Sequence, residues 1–476
     1  MPRRQLRLEP AHAARIRAAL DRVHAELQVP VEFPAEAHAE AVTAVDSAPR
    51  AARDRTDIPF VTIDPPASMD LDQAVHLSRA SGGGYLVHYA IADVASFVRP
   101  GGPIDLEAHR RGVTFYGPDR RAPLHPLELS EGAASLLPGS DRLALVWEHR
   151  LDSAGSPTSS TLTRAVVRSR AKLSYEAVQR ELDAGTAGEM LSLLPEIGRL
   201  RERQERMRGG VSLPVPQQEI VAHDGGYDLQ FDSSLPLEQW NAHISLLTGM
   251  AAAAIMRAGA IGIFRTLPPA QERDVARLRR IAKALRIHWP KSISYADLIY
   301  SFDPRPASHA AFLNAAASLF RGSGYTTFDG SVPAGAGHAA LGAEYAHVTA
   351  PLRRLVDRYG LEICLALSEG REVPEWVRAG LGVLPEVMAE TGRRAGAYEG
   401  ACVAIVEAAV LTGREDELFP GVVVDLFRRD NRGEVVIQEP AVKGRVDGSG
   451  LPLGEDVTVR LVEASIEARR IAFALA

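Results

Sequence analysis

Cysteine is scarce. Cys364 and Cys402 are the only two, and neither sits in a CxxC pair, so a disulfide framework and a thiolate zinc site are both excluded. Lysine is rarer than its chemistry alone would suggest. Lys172, Lys283, Lys291 and Lys443 are the only four among 54 basic residues, and the others are arginines, whose planar fork suits phosphate. A GC-rich coding bias is the simplest source of that skew. Long apolar runs are also missing: the longest uncharged helix candidate, Ile244 to Met256, lies between His243 and Arg257 and is too short to span a bilayer. The basic start, MPRRQLRLEP, lacks the apolar stretch of a signal peptide. These absences predict a cytoplasmic protein without a membrane segment.

Several enzyme signatures are missing as well. No GxxxxGK[ST] occurs, because Pro290 precedes the one Lys followed by Ser, Lys291. GxSxG and HExxH are absent. Gly335-Ala336-Gly337-His338-Ala339-Ala340 fits a loose dinucleotide pattern, yet Gly- and Pro-rich sequence precedes it instead of a strand, so it reads as a loop. The balance of 54 basic against 60 acidic residues, a net charge of −6, excludes a wholly basic nucleic-acid coat and leaves room for a local basic groove.

What is present is ordinary globular composition, 46% hydrophobic and 24% charged, over 476 residues, enough for about two to four domains. Residues 1–50 read as helical: Ala14, Ile16, Leu20, Val23 and Leu27 share one face, and a second helix follows Pro34. From Ile58 the pattern turns to strands, with β runs at Phe60–Ile63, Tyr85–Ile91 and Leu143–Trp147. Helices dominate between about 172 and 412, among them Ser174–Asp183, Leu237–Ala258, Asp274–Leu285, Leu352–Leu367 and Gly392–Thr412. The last 60 or so residues return to short strands around the turn Asp430-Asn431-Arg432-Gly433, the size of a small five-stranded OB-type barrel. The fold class is therefore α+β: a helical module over 1–50, a large body over 51–412 and a small barrel over 413–476.

The most informative segment runs from Thr62 to Ala74. Asp64 ends a β run, Asp70 and Asp72 follow, and Pro65-Pro66 force a stiff, extended excursion between them. Such a loop can converge three carboxylates, with Asp70 and Asp72 on one side if the chain is extended. Carboxylates so placed repel one another and call for a hard cation, Mg²⁺ or Mn²⁺. An EF-hand is excluded, because counting from Asp64 puts Met69 and Val75 where Gly and Glu are needed. On spacing alone a solvated acidic loop remains the simpler alternative.

The flanking sequence resembles the ribonuclease II family, the hydrolytic 3′→5′ exoribonucleases built on the RNB catalytic domain. Five blocks in order carry the resemblance. They are Ile58–Pro66 with Asp70-Leu71-Asp72; His88–Val94 with Phe97–Gly101; Arg111–Tyr116 through Pro126–Ser130 to Asp141–Ala144; Lys172–Tyr175; and Gly337-His338 with Tyr345–Arg354. The resemblance implies an RNB-type catalytic body, an OB-fold barrel after it, and a processive enzyme that degrades single-stranded RNA from its 3′ end to nucleoside 5′-monophosphates. It also implies Mg²⁺, with Mn²⁺ as an alternative, and a monomer.

By position, the family's metal-site aspartates fall on Asp64, Asp70 and Asp72, and the fourth falls on Gln73. An amide oxygen carries no charge, so a second metal is expected to bind more weakly and to fill mainly with RNA phosphate present. Asp64 and Asp70 are the implied primary ligands; Asp72 would bridge to the second ion and orient or deprotonate the water. Arg353 is the implied phosphate clamp, expected in the first turns of a helix capped by Thr349, while a plain surface pair with Asp357 is the alternative. Tyr116 and Tyr175 would stack on bases, and Glu238 is a weaker carry-over. Arg354, Arg428, Arg429, Arg432, Lys443 and Arg445 are the expected RNA-contacting cations. The 1–50 segment is too short for the family's usual cold-shock barrels, which leaves a helix-turn-helix-like module or a plain packing arm. The competing function is a catalytically silent RNA-binding protein on the same fold, with Gln73 as its lesion.

Overall fold

The computed structural model describes residues 10–48, 53–213, 217–223, 226–232, 235–302, 306–427 and 431–476. Two helices come first, α1 (Pro10–Glu26) and α2 (Ala35–Asp46). They do not pack as a helix-turn-helix pair, because each joins a different core. Ile16, Leu20 and Val23 of α1 are buried with the carboxyl-terminal part of the chain, whereas Ala37 and Ala41 of α2 are buried against the amino-terminal barrel.

That barrel begins with β1 (Phe60–Ile63), β2 (Gln73–Arg79) and β3 (Tyr85–Ala92). Helix α3 (Pro103–Arg111) and the hairpin of β4 (Phe115–Tyr116) and β5 (Arg121–Ala122) follow. The long strands β6 (Asp141–Leu151) and β7 (Pro157–Leu173) then close the sheet in the order β1-β2-β3-β6-β7. All neighbours are antiparallel except β1 and β7, which run parallel. Successive residues feed two separate cores: Val61, Val75, Tyr89 and Trp147 face one, while Phe60, Ala74, Ala90 and Val146 face the other. Where both faces are dry, as in β1, most of β3 and the middle of β6, the strand reads as a continuous apolar run instead of an alternating one.

The helical middle comprises α4 (Tyr175–Asp183), α5 (Glu189–Met207), α6 (Pro236–Ala258), α7 (Glu272–Ala284), α8 (Tyr295–Tyr300), α9 (Ala307–Ala316), α10 (Leu355–Ser368), α11 (Glu375–Leu381) and α12 (Leu384–Leu411). Two antiparallel strand pairs interrupt it, the hairpin of β8 (Gln217–His223) with β9 (Gly226–Asp232), and β10 (Ile261–Thr266) with the distant β11 (Gly324–Asp329), both unexpected from sequence. The 17 residues of β7 were not expected either. Strand β7 is largely polar, and Ile261–Phe264 is an apolar run too short to separate from helix by periodicity.

The carboxyl-terminal strands β12 (Leu418–Phe427), β13 (Arg432–Ile437), β14 (Val442–Asp447), β15 (Asp456–Ser465) and β16 (Arg470–Leu475) form a second closed barrel, ordered β12-β13-β14-β16-β15. This is the five-stranded OB arrangement expected from sequence. Helix α1 lies against α12 and this barrel, tied by Arg15 to Glu467 (3.0 Å) and Arg469 to Glu26 (2.8 Å). Glu40 of α2 accepts a hydrogen bond from the backbone N–H of Ile104, at the start of α3 (2.8 Å). The helical segment is thus a packing arm bound at both ends of the molecule. Among the described residues no helix is long and apolar enough to cross a membrane.

Leu20 is fully buried in this arm. Leu20→Ala should lower the urea midpoint, with a cost of about 2–5 kcal/mol, and a loose appendage would show no change.

Candidate active site

Asp64 leaves β1 with its backbone N–H bonded to the Leu173 carbonyl (3.1 Å), which extends the parallel pairing by one residue. Lys172 Nζ then clasps the Pro66 carbonyl (2.8 Å) and fixes the proline excursion. Beyond it, Leu71 is fully buried and its N–H donates to Ser135 Oγ (3.0 Å). Asp70 and Asp72 therefore point to the side opposite Leu71, as an extended segment requires.

Asp72 is only 3% exposed, and both of its oxygens are engaged. Oδ1 accepts from the backbone N–H of Leu352 (2.8 Å) and Oδ2 from Arg353 Nε (3.2 Å). The turn that delivers these donors is itself held. The Gln73 amide N–H donates to the Thr349 carbonyl, His125 Nε2 meets the Pro351 carbonyl (3.3 Å), and Thr114 N–H donates to the Arg353 carbonyl (3.0 Å). Complete burial pushes the His125 ring down to about 3, so it stays neutral and can donate that hydrogen bond.

Arg353 does not lie in the helix. Helix α10 starts at Leu355, with Arg354 extended before it (φ −139°, ψ 124°). Thr349 does not cap that helix either, since its hydroxyl pairs with Ser245 Oγ (2.8 Å). The surface pair with Asp357 belongs to Arg354, which binds Asp357 through two 2.8 Å contacts and is spent on structure. Arg353 is left with a 46% exposed side chain, anchored on Asp72 at Nε and open to an incoming anion.

The two tyrosines stand near different aspartates of this centre, and both stand near Arg353. The hydroxyl of Tyr116 lies near Asp70, Asp72 and Arg353; burial, then Asp70, raises it to about 12, although the residue as a whole is 48% exposed. Tyr175 opens α4 directly after Ser174, whose Oγ caps the helix by accepting from the Ala177 N–H (3.2 Å). Burial and the nearby Asp64 raise Tyr175 to about 12 too, and Asn241 Nδ2 donates to its hydroxyl (3.3 Å). Glu238 stands near Tyr175 at the first turn of α6, where its carboxylate accepts from the Leu235 N–H (3.1 Å).

Convergence of the carboxylates is looser than the sequence suggested. Among the described residues no three His, Cys, Asp or Glu side chains gather closely enough to hold a metal as they stand. Guanidinium groups intervene: Arg353 sits on Asp72, and Arg121 sits on Asp70 at 2.7 Å. The three aspartates still share one field. Burial, reinforced by Asp70, raises Asp64 to about 6 and Asp72 to about 7, against the pull of Arg353 on both. Asp64 makes no direct ion pair among the described residues, so hard anionic oxygen remains under-neutralised there. That donor chemistry fits a divalent cation held from the Asp64 side.

Arg121 escaped the sequence reading. The turn residues Gly117-Pro118-Asp119 after Tyr116 were the available signal, since a hairpin there sets Arg121 opposite Tyr116. On the carboxyl-terminal barrel, Arg428 and Arg429 lie outside the described residues. Lys443 donates its backbone N–H to Glu407 of α12 (2.9 Å) and has that carboxylate as a charged neighbour. Arg432 and Arg445 both approach Asp447, at 3.3 and 3.6 Å. These cations are largely answered by acids, which weakens the expected funnel.

A carboxyl whose folded pKa is raised binds extra protons in the native state, so it costs stability as pH climbs from its ordinary value toward the raised one. Asp64→Asn should therefore stabilise the metal-free protein by about 1–3 kcal/mol at about pH 8 and hardly at all near pH 4. Thermal melts at both pH values check this, and added Mg²⁺ should narrow the gap by stabilising the unsubstituted chain.

Comparison with known proteins places this geometry in a family. The RNB domain matches residues 52–364, and the RNase II-type exonuclease C-terminal S1 domain matches residues 417–476. Ribonuclease R of Aquifex aeolicus is 26% identical over 503 residues, covering 96% of this chain and 70% of its own length. Ribonuclease R of Escherichia coli is 26% identical over 479 residues, covering 89% of this chain and 57% of its own. Apo RNase R of Mycoplasma genitalium superposes with a TM-score of 0.85 at 18% identity, over 97% of this chain and 78% of that one, a likeness of fold. The same protein has been solved with ribose-methylated single-stranded RNA, again with a TM-score of 0.85. The chain belongs to the RNB-domain family, with an RNase II-type S1 barrel at its carboxyl end.

Proposed function

We propose that this chain is a hydrolytic exoribonuclease that removes nucleoside 5′-monophosphates processively from the 3′ end of single-stranded RNA, with Mg²⁺ or Mn²⁺ as cofactor. One observation carries the reading: a buried aspartate, Asp72, holds the half-exposed side chain of Arg353 beside both Tyr116 and Tyr175. A silent RNA binder has no need to spend a buried carboxylate in this way. The S1 barrel and the RNA complexes of its structural relatives support RNA as the polymer.

Hydrolysis adds water across the terminal phosphodiester. The water oxygen attacks phosphorus, the P–O3′ bond breaks, and the proton moves to the leaving 3′-oxygen. The phosphate departs on the 5′ carbon of the released nucleotide. Arg353 donates to a non-bridging phosphate oxygen and stabilises the charge that builds there. Asp72 keeps Arg353 in place, orients the attacking water and accepts its proton. Tyr116 and Tyr175 present aromatic faces to bases on either side, worth about 1–3 kcal/mol per base and tolerant of sequence. Asp64 and Asp70 are the ligands for the cation. When bound, that ion neutralises the scissile phosphate and acidifies water.

A 5′-labelled oligo(A) incubated with the full chain and Mg²⁺ should shorten as a ladder to a small core, and chelator should stop it. Intact label with a gel shift would instead mean a binder, and equal decay of the deoxy-oligomer would mean a general exonuclease. Arg353→Lys and Asp72→Asn should each slow turnover by about a hundredfold or more, because a stabilising contact to the transition state is lost. RNA affinity of Asp72→Asn, read by gel shift, should stay near that of the unsubstituted chain.

A further inference from the structure

The β4–β5 hairpin places Arg121 directly across from Tyr116, beside the reacting centre. Its Nη1 lies 2.7 Å from Asp70 Oδ1, and its Nη2 donates to Glu131 Oε1. The side chain is 24% exposed, held from two sides by carboxylates. A guanidinium stays charged in any protein setting, so Arg121 is a permanent positive charge on Asp70.

Two further features reduce what the site can offer a metal. Gln73 is neutral and spends its amide N–H on the Thr349 carbonyl. Each oxygen of Asp72 already accepts one hydrogen bond, from Leu352 and from Arg353, which leaves room for the water and little for a metal. Asp64, Asp70, Asp72 and Glu131 against Arg121 and Arg353 leave a net of two negative charges, which one divalent ion balances and two would overshoot. Lys172, near Asp64, reduces the demand further. Two divalent ions roughly 4 Å apart repel strongly unless carboxylates bridge and neutralise them, and here those carboxylates are already paired.

We propose that Arg121 takes the place of a second metal ion. The centre binds a single divalent cation at Asp64 and the Asp70 oxygen that Arg121 does not hold, and Arg121, fixed by Asp70 Oδ1 and Glu131, supplies the other positive charge beside the phosphate. This rests on the metal-dependent nuclease reading above and sets its stoichiometry. Arg121 also accounts for the absence of a three-carboxylate cluster among the described residues, because it occupies the side of Asp70 that a second ion would share.

The test counts Mn²⁺ bound per metal-free full-length chain, without RNA, from the electron paramagnetic resonance signal of free Mn²⁺. One ion per chain is expected, and one again in Arg121→Lys, which keeps the charge. Arg121→Gln frees Asp70 and Glu131 and should bind two, and adding Asp70→Asn to it should return the count to one. Circular dichroism melts confirm that each variant is folded, and the count for the unsubstituted chain depends on no variant. Two ions in the unsubstituted chain, or one in Arg121→Gln, would overturn the proposal. No bound ion at all would sink the metal-dependent reading itself, an outcome distinct from a count of two.

Discussion

The contact of Asp72 with the 352–353 turn joins residues 280 positions apart, and the rest of the site depends on it. A carboxylate that is 3% exposed is costly to bury. Here a backbone N–H and a guanidinium offset that cost, and neither tolerates displacement without leaving a buried charge unpaired. The same contact fixes Arg353 to the mouth of the amino-terminal barrel. Through the Thr114 to Arg353 hydrogen bond it also fixes the strand that carries Tyr116. A single clamp thereby sets the positions of Arg353, Asp72 and Tyr116, the residues to which the proposed mechanism gives phosphate, water and base.

Charge in the site is rationed. Burial and the charge of Asp70 raise the proton affinity of Asp64 and Asp72 while Arg353 draws it down, Arg121 is spent on Asp70, and the balance leaves the Asp64 side short of positive charge. That balance is the basis for the proposal of a single divalent cation. Gln73 fits that economy: it trades a charge for a hydrogen bond that steadies the 349–353 turn. What looks like a lesion in a ligand list is, in the folded chain, a structural tie.

The scaffold makes the clamp rigid. Alternate residues of the first barrel feed two dry cores, one shared with α6 and α10 and one shared with α2 and with residues 94–104 and 129–136. The carboxyl-terminal barrel is bound to the body through α12 and through α1, whose Ile16, Leu20 and Val23 are buried with barrel residues such as Val423 and Phe473. The amino-terminal helices thus tie two cores together, and α1 also reaches the β4–β5 turn next to the site, where Asp21 pairs with Arg120 at 2.8 Å.

The α+β class, the carboxyl-terminal five-stranded barrel, the two amino-terminal helices, and Asp70 and Asp72 on one side of an extended segment were legible in the sequence. Each rests on local periodicity, turn chemistry or alternation within a few residues. The proline excursion after Asp64 was legible for the same reason. Strands β7, β8 and β9 were not, because their polar residues hide a pairing that only distant partners define. Tertiary structure alone decided that Arg353 precedes α10, that Arg354 and not Arg353 takes Asp357, and that Arg121 lies on Asp70. Which acid a given arginine meets depends on how distant segments are brought together, and burial then favours the pairs that neutralise enclosed carboxylates, as Arg353 does for Asp72.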